Sequence, residues 1–600
     1  MRGRLLTTRA LAGAVVLALG VGLLFLSGLG AYPLVDPDEA RHAEVAREMV
    51  VTRGVAHLFL PTLDFRPYRE KPPGHYWLVA LAYRTLGVGE RAARTVSALA
   101  GLLGVVAIYS YAASRVGVAA AAATALACAT SAGWFALARY GSVDMTLTAC
   151  VAVGVLAGLA WLERPPPRRP PLVPYVAAAV GLLVKGPVAL VLVGGPLALA
   201  VLARPPRPAL RELGLGRGAF LVAAVAALVW IPVAFFDLSY VTAFAETNVS
   251  RWTAASRHAA PLWYYAVWLP AMLLPWTPFA LLGAVRGWPD PARRPLVLWG
   301  AFVPVFLTLP RGKLAPYALS ALVPFALLAG PELARVIREG PTARERGLVG
   351  VTGLVVAAAL IAAAGTIVLL RAYPVGIPAR AGIVAAALGW ATITTVLVVR
   401  GWLAAVPVAI AGAMLSLYPL AVFFVAPGVA ALHSERDAAA AIGSPGTAPV
   451  VVFAVRDPSL EFYLRAPVVY TSDAALARDV FAHDGPAFLV TSPAHYAEVD
   501  AALGERAHVW HATRRRRLYA NRPRAGGEPN GSTNRAAPPS SSAIPRSRLY
   551  FAVRSERDGA PVATAKSAMT IVDIAITSAE RLCRADPVAQ HDHPHLGEER

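Results

Sequence analysis

Cysteine is nearly absent from this chain. Its 600 residues hold three, Cys128, Cys150 and Cys583. Three scattered cysteines make neither a disulfide framework nor a cysteine metal site. Charge is scarce as well, at 15% of residues, and acids number 36 against 56 Lys and Arg. The resulting net charge of +20 would suit a nucleic-acid binder. However, the arginines are not gathered on one face with interleaved aromatics, so no nucleic-acid partner is expected. There is also no internal repeat of the kind that inverted-repeat transporters show.

What the chain does have is apolar runs. Hydrophobic residues make up 56% of it, which describes a polytopic membrane protein. Windows long enough to cross the hydrocarbon predict about thirteen helical spans, beginning near residue 9 and ending near 425. The first is read as an uncleaved span. The Arg-rich loops 163–170, 204–217, 286–294 and 335–346 all fall on one side of this count. By the positive-inside rule that side is cytoplasmic, so the N-terminus is inside and the C-terminus outside. Three regions follow: a membrane domain over 1–430 with a long outer loop at 32–90, a small extracytoplasmic α/β domain over 431–520, and a structureless tail over 521–600. The α/β texture rests on Pro449–Val455, Ser459–Leu464, Pro467–Tyr470, Ala487–Val490 and Val509–His511. The tail is rich in Gly, Pro, Ser and Arg.

The first outer loop is the most informative stretch. Asp36-Pro37-Asp38-Glu39 predicts a helix start, with Asp36 as N-cap, Pro37 at the first helical position and Glu39 folding back as in a capping box. The cap has no need of Asp38. Tyr68-Arg69-Glu70-Lys71-Pro72-Pro73 predicts a stiff, extended segment, because each proline fixes its own φ and restricts the residue before it. Read alone, Glu70 and Lys71 make an ordinary ion pair. Further along, Asp144 opens a span, Lys185-Gly186-Pro187 breaks one, Arg251 lies in an outer loop, and Lys313 and Tyr317 lie in Leu309–Phe325.

In their order, DPDEARHAEVAREM, PYREKPPGHYW, the Arg251 segment with its Pro-Leu-Trp-Tyr-Tyr, and GKLAPY resemble the membrane glycosyltransferases that use polyprenyl-phosphate sugars. These are the aminoarabinose transferases of lipid A and the protein O-mannosyltransferases. The resemblance covers about residues 30–330, and more weakly 449–470. It implies a GT-C-like polytopic α-helical fold. It also implies transfer of a sugar from a polyprenyl-phosphate donor to a lipid, glycan or protein acceptor at the outer face of the inner membrane. Such chemistry needs cations for the leaving phosphate and a carboxylate to take or orient the acceptor's proton. The resemblance puts Asp38, Asp144 and Glu39 on the catalytic side, and Lys71, Arg251, Tyr68, Tyr317 and Lys313 on the donor phosphate. Glu70 is the candidate ligand for a divalent metal. The aminoarabinose branch has a metal-binding His three residues before the loop arginine. This chain has Asn248 there, with Glu246 and His258 nearby, so no cofactor is assigned. The alternative from another class is a transporter or flippase.

Overall fold

The computed structural model describes residues 8–205, 207–250, 252, 258–369, 376–482, 484–513 and 515–524. Arg251, and the expected tail from residue 525 onward, lie outside the described residues. Eight described helices are long and apolar enough to cross a membrane, among them Glu90–Val116, Val143–Leu162 and Ile377–Val399. Two helix pairs, Val118–Thr130 with Ala132–Ala138 and Tyr264–Leu273 with Thr277–Gly287, are bent by 66° and 110°; counting each as one span brings the total to ten. Leu172–Lys185, Val188–Ala203 and Arg294–Thr308 are apolar but only 14, 16 and 15 residues long. They fall short of the roughly twenty residues that cross the hydrocarbon. By length, then, the described helices supply eight to ten spans where about thirteen were expected, and three short apolar helices account for the difference.

The two bent pairs meet at their breaks. Ala132 N donates to Leu274 O at 2.9 Å, and Trp276 Nε1 donates to Thr130 Oγ1 at 2.9 Å. Each break thus supplies hydrogen-bond partners that the hydrocarbon cannot. Small residues let other helices approach closely. A Cβ added at Gly283 would collide with the Leu328 carbonyl, and one at Gly330 with the Thr124 side chain.

The end of the first helix, Thr8–Leu26, is tied down by two arginines. Its last carbonyls have no partners within the helix. Arg139 donates to Leu24 O at 2.9 Å, Phe25 O at 2.7 Å and Ser27 O at 2.5 Å. Arg94, fully buried, donates to Leu29 O and Tyr32 O and stacks 3.8 Å from the Tyr32 ring. The chain is therefore fixed where it enters the first loop.

In that loop the helix runs Asp38–Val51. Glu39 folds back as expected but accepts from Val35 N at 3.0 Å, one residue before the amide that a capping box would use; the Asp36 amide goes to His433 O. Asp36 departs from expectation. Its carboxylate bonds to Ser459 instead of capping the helix. A short ribbon follows, β1 (Thr62–Leu63) against β2 (Arg66–Pro67). Asp64 and Phe65 turn it at φ 56° and 53°, the two-residue turn that suits strand twist. Glu48 holds it, accepting from Phe65 N at 3.0 Å and from Thr62 Oγ1 at 2.5 Å. The stretch 68–73 is not the extended segment expected. Residues 69–71 turn, and Pro73 adopts a helical φ/ψ of −76°/−14° as N-cap of Gly74–Leu86. Proline's fixed φ also suits a helix entry, and here that use prevails.

The chain forms two compact units. One holds residues 8–32 and Val45–Gly428; the other joins Pro33–Glu44 to the described residues from Val429 to 524. This corrects the expected 1–430 boundary, because the start of the first loop packs with the C-terminal domain. That domain is a five-stranded sheet in the order β4-β3-β5-β7-β6. β3 (Val450–Phe453) runs parallel to β4 (Val469–Thr471) and β5 (Phe488–Thr491); β7 (Arg517–Ala520) is antiparallel to both β5 and β6 (His508–Ala512). β3 and β5 are buried along their whole length, as central strands covered on both faces are. Val450 and Val452 pack with Leu460 and Val490, while Val451 and Phe453 pack with Ala477 and Leu489. That alternation is the two-residue period of a strand.

Candidate functional site

In the membrane unit, several charged groups gather at helix ends. Asp144 lies in the first turn of Val143–Leu162, behind the N-cap Ser142. A carboxylate is favoured there by the helix dipole. It forms an ion pair with Lys185, the last residue of Leu172–Lys185, and both side chains are largely buried. The Lys185 ammonium also lies 4.1 Å from the centre of the Tyr317 ring, a cation–π distance. Tyr317 stands in the short 3-10 helix Ala315–Ala321.

Lys71 is buried too, and its main-chain carbonyl accepts from the Tyr240 hydroxyl at 2.7 Å. Next to it, Arg69 pairs with Asp237 at 3.0 Å. These two bonds fasten both flanks of Glu70. Tyr68 donates to Glu70 Oε2 at 3.3 Å. Gly74, three residues after Lys71, abuts the Leu183 main chain closely enough that any Cβ would clash. His75 Nδ1 lies 3.1 Å from Thr146 Oγ1, a hydrogen bond to the helix that carries Asp144. The Lys71 turn is thereby packed next to the ends of the helices that carry Lys185 and Asp144.

Lys313, expected on the donor phosphate, is committed elsewhere. Its ammonium donates to Ala260 O at 3.0 Å and Pro310 O at 2.8 Å, and its amide to His258 O at 2.9 Å. It staples the loop around 258–313. Arg251 lies outside the described residues. Among the described residues, no cluster of three or more His, Cys, Asp and Glu with metal-binding geometry includes Glu70. At the position where the resemblance has a His, the Asn248 amide donates to Phe244 O at 2.8 Å.

The second unit holds Asp38 and Glu39. Asp38 is 41% exposed and pairs with Arg41 one turn on, at 3.1 Å. Glu39 is buried in its capping contact. Asp36 is buried in a cluster with Ser459, Asp457, Glu435 and Arg516. Arg516 forks onto Asp457 at 2.5 and 2.8 Å and reaches Glu435 at 3.7 Å. Burial, and then the charge of Asp457, push the Asp36 carboxyl up to about 8. The sequence reading missed this cluster, the Lys185–Asp144 pair and Tyr240. Lys185 and Asp144 gave a signal, as charged residues in otherwise apolar segments; Asp36, Glu435, Asp457 and Arg516 stand in charged stretches and gave none.

This arrangement of helical spans, broken helices and a small C-terminal sheet is found in a solved structure. ArnT from Cupriavidus metallidurans shares it: its apo structure superposes with a TM-score of 0.71 at 24% identity, covering 85% of this chain and 98% of that one. The same protein bound to undecaprenyl phosphate gives 0.69 over the same shares. Residues 70–236 match the family described as dolichyl-phosphate-mannose-protein mannosyltransferase. Among curated relatives, the undecaprenyl phosphate-alpha-4-amino-4-deoxy-L-arabinose arabinosyl transferase of Serratia proteamaculans is 29% identical over 354 residues, 52% of this chain and 58% of that protein. The protein of that name from Pseudomonas aeruginosa strain UCBPP-PA14 is 29% identical over 361 residues, 55% and 61% of the two chains. The matches thus span about three-fifths of the length of these relatives. They bear out the resemblance read from the loop motifs and lend nothing to a transporter.

Proposed function

We propose that this protein is a membrane glycosyltransferase. It takes a sugar from a polyprenyl-phosphate carrier and passes it to an envelope acceptor of lipid type. The observation that carries this reading is the pair of buried lysines, Lys71 and Lys185, at helix ends of an apolar bundle. Buried charges in a membrane protein are costly and mark a functional site, and two cations at neighbouring helix ends suit an anionic donor. Lys71 and Tyr317 hold the donor phosphate, with Arg251 assigned by the motif alone. Lys185, fixed by Asp144, adds positive charge behind Tyr317. An acceptor oxygen attacks the anomeric carbon, and the bond from that carbon to the phosphate oxygen breaks. The electron pair leaves on the phosphate, whose charge the lysines stabilise. When the acceptor is a hydroxyl, Asp38 takes its proton; when it is an anionic phosphate, Asp38 orients it. Glu39 keeps its capping role. Undecaprenyl phosphate is the proposed carrier, and the aminopentose named for the relatives is the first sugar to test.

The experiment is mass spectrometry of envelope lipids, polysaccharides and secreted proteins from cells with and without the protein. A glycosylated product that depends on the protein supports the reading, and identical profiles refute it. In purified protein, Lys71→Ala should weaken undecaprenyl phosphate binding about ten- to a hundredfold, the worth of one charge-assisted contact. Unchanged affinity would remove Lys71 from the site.

With the three short apolar helices counted as spans, the reading of the basic loops as cytoplasmic puts the N-terminus inside and the C-terminal domain outside. A reporter fused after residue 430 should be active only outside the cytoplasm, and one fused near 210 only inside. Both reporting the same compartment would overturn that orientation.

A further inference from the structure

The residues leading into the first-loop helix are bonded to the C-terminal domain at three places. Leu34 N donates to the Tyr463 hydroxyl at 2.8 Å. Asp36 N donates to His433 O at 2.8 Å. The Asp36 carboxylate uses both oxygens on one residue, accepting Ser459 N at 2.8 Å on Oδ1 and the Ser459 hydroxyl on Oδ2. The Ser459 hydroxyl in turn accepts Glu435 N at 2.8 Å, which fixes its direction. Two residues after Asp36 the helix begins, at Asp38. Asp38 is half-exposed, and its ion pair with Arg41 is local to its own helix. A local pair cannot set where that helix end lies. The bonds at residues 34 and 36 can.

We propose that Asp36 and Ser459 are positioning residues for Asp38: their two-point clamp fixes the helix start that presents the Asp38 carboxylate to the acceptor. The inference rests on the reading of Asp38 as the acceptor-side carboxylate. A carboxyl group is an expensive way merely to fill a buried position, because it must be desolvated. What it provides is direction. Two oxygens on two donors of one residue set both the distance and the rotation of the segment. Such placement matters in a reaction where a misplacement of about 1 Å can cost about a hundredfold in rate.

The test uses the full chain in nanodiscs with four variants: Ser459→Ala, Ser459→Thr, Asp36→Asn and Asp38→Asn. Three quantities are read for each: the initial rate of the product that cells with the wild-type protein make, binding of undecaprenyl phosphate, and thermal unfolding. Ser459→Ala and Asp36→Asn should lower the rate about ten- to a hundredfold while undecaprenyl phosphate binds as to the wild type. Ser459→Thr, which keeps the hydroxyl, should retain the wild-type rate. A purely structural role would lower binding and melting temperature together with the rate, and that outcome overturns the proposal. So does a wild-type rate in Ser459→Ala while Asp38→Asn is inactive. If Asp38→Asn is itself fully active, or the wild type makes no product, the reading of Asp38 fails and the inference falls with it.

Discussion

Asp38→Asn should yield a folded, membrane-inserted protein that binds undecaprenyl phosphate normally and transfers no sugar. The amide keeps the shape of the side chain and loses both its charge and its basicity. Removing a general base typically costs about a hundred- to ten-thousandfold in rate. The structural cost should be small. Asp38 is 41% exposed, and its one ion pair is with Arg41 on the next turn; exposed pairs of this kind are worth about 0–1 kcal/mol. The helix start does not depend on it either, since Glu39 supplies the contact to Val35 N. Rate and stability should therefore separate: transfer lost, melting nearly unchanged. Near wild-type transfer by the purified variant would exclude Asp38 from the chemistry and leave Asp144 as the candidate carboxylate.

The motif around Asp38 shows what a sequence can and cannot reveal. Local rules found the helix and the returning arm of Glu39, because capping depends on residues within one turn. They gave Asp36 to the same cap, and the structure gives it to Ser459, 423 positions away. No local pattern encodes a partner at that distance. The 68–73 turn failed for a related reason. Proline restricts φ equally for an extended segment and for a helix entry, and the close approach of Gly74 to Leu183 accompanies the second choice.

The membrane spans were legible as apolar runs, yet their breaks were not. Thr130-Ser131-Ala132 contains no proline or glycine, so nothing in it announces a bend. The break is supported by Leu274 and Trp276 from the other bent pair. In the same way Lys313 carries the charge that a phosphate site needs, and only its two carbonyl partners show that it serves as a staple. A motif supplies a residue type at a place in the chain. Which neighbour uses that residue is settled by tertiary packing.

The pair of Asp144 and Lys185 offers a second large effect, and one that separates architecture from chemistry. Their side chains are 12% and 7% exposed and bond to each other. Asp144→Asn should lower stability by about 3–5 kcal/mol, because it leaves the Lys185 ammonium buried without its counter-ion. Lys185→Met should do the same in reverse, stranding a carboxylate. A double variant, Asp144→Leu with Lys185→Met, removes both charges and leaves no polar group stranded, and replacing a whole buried pair with hydrophobic groups of similar size is often neutral or stabilising. It should therefore melt close to the wild type. Transfer should stay lost in all three, because Lys185 lies against Tyr317, on the proposed donor side, and the neutral pair cannot supply the charge that a leaving phosphate needs. Thermal unfolding in detergent, together with undecaprenyl phosphate binding, checks each step. If Asp144→Asn alone melts like the wild type, the pair is not the buried bridge described here. If the double variant transfers sugar at the wild-type rate, its charges belong to the scaffold, and Lys71 is left as the cation that meets the phosphate.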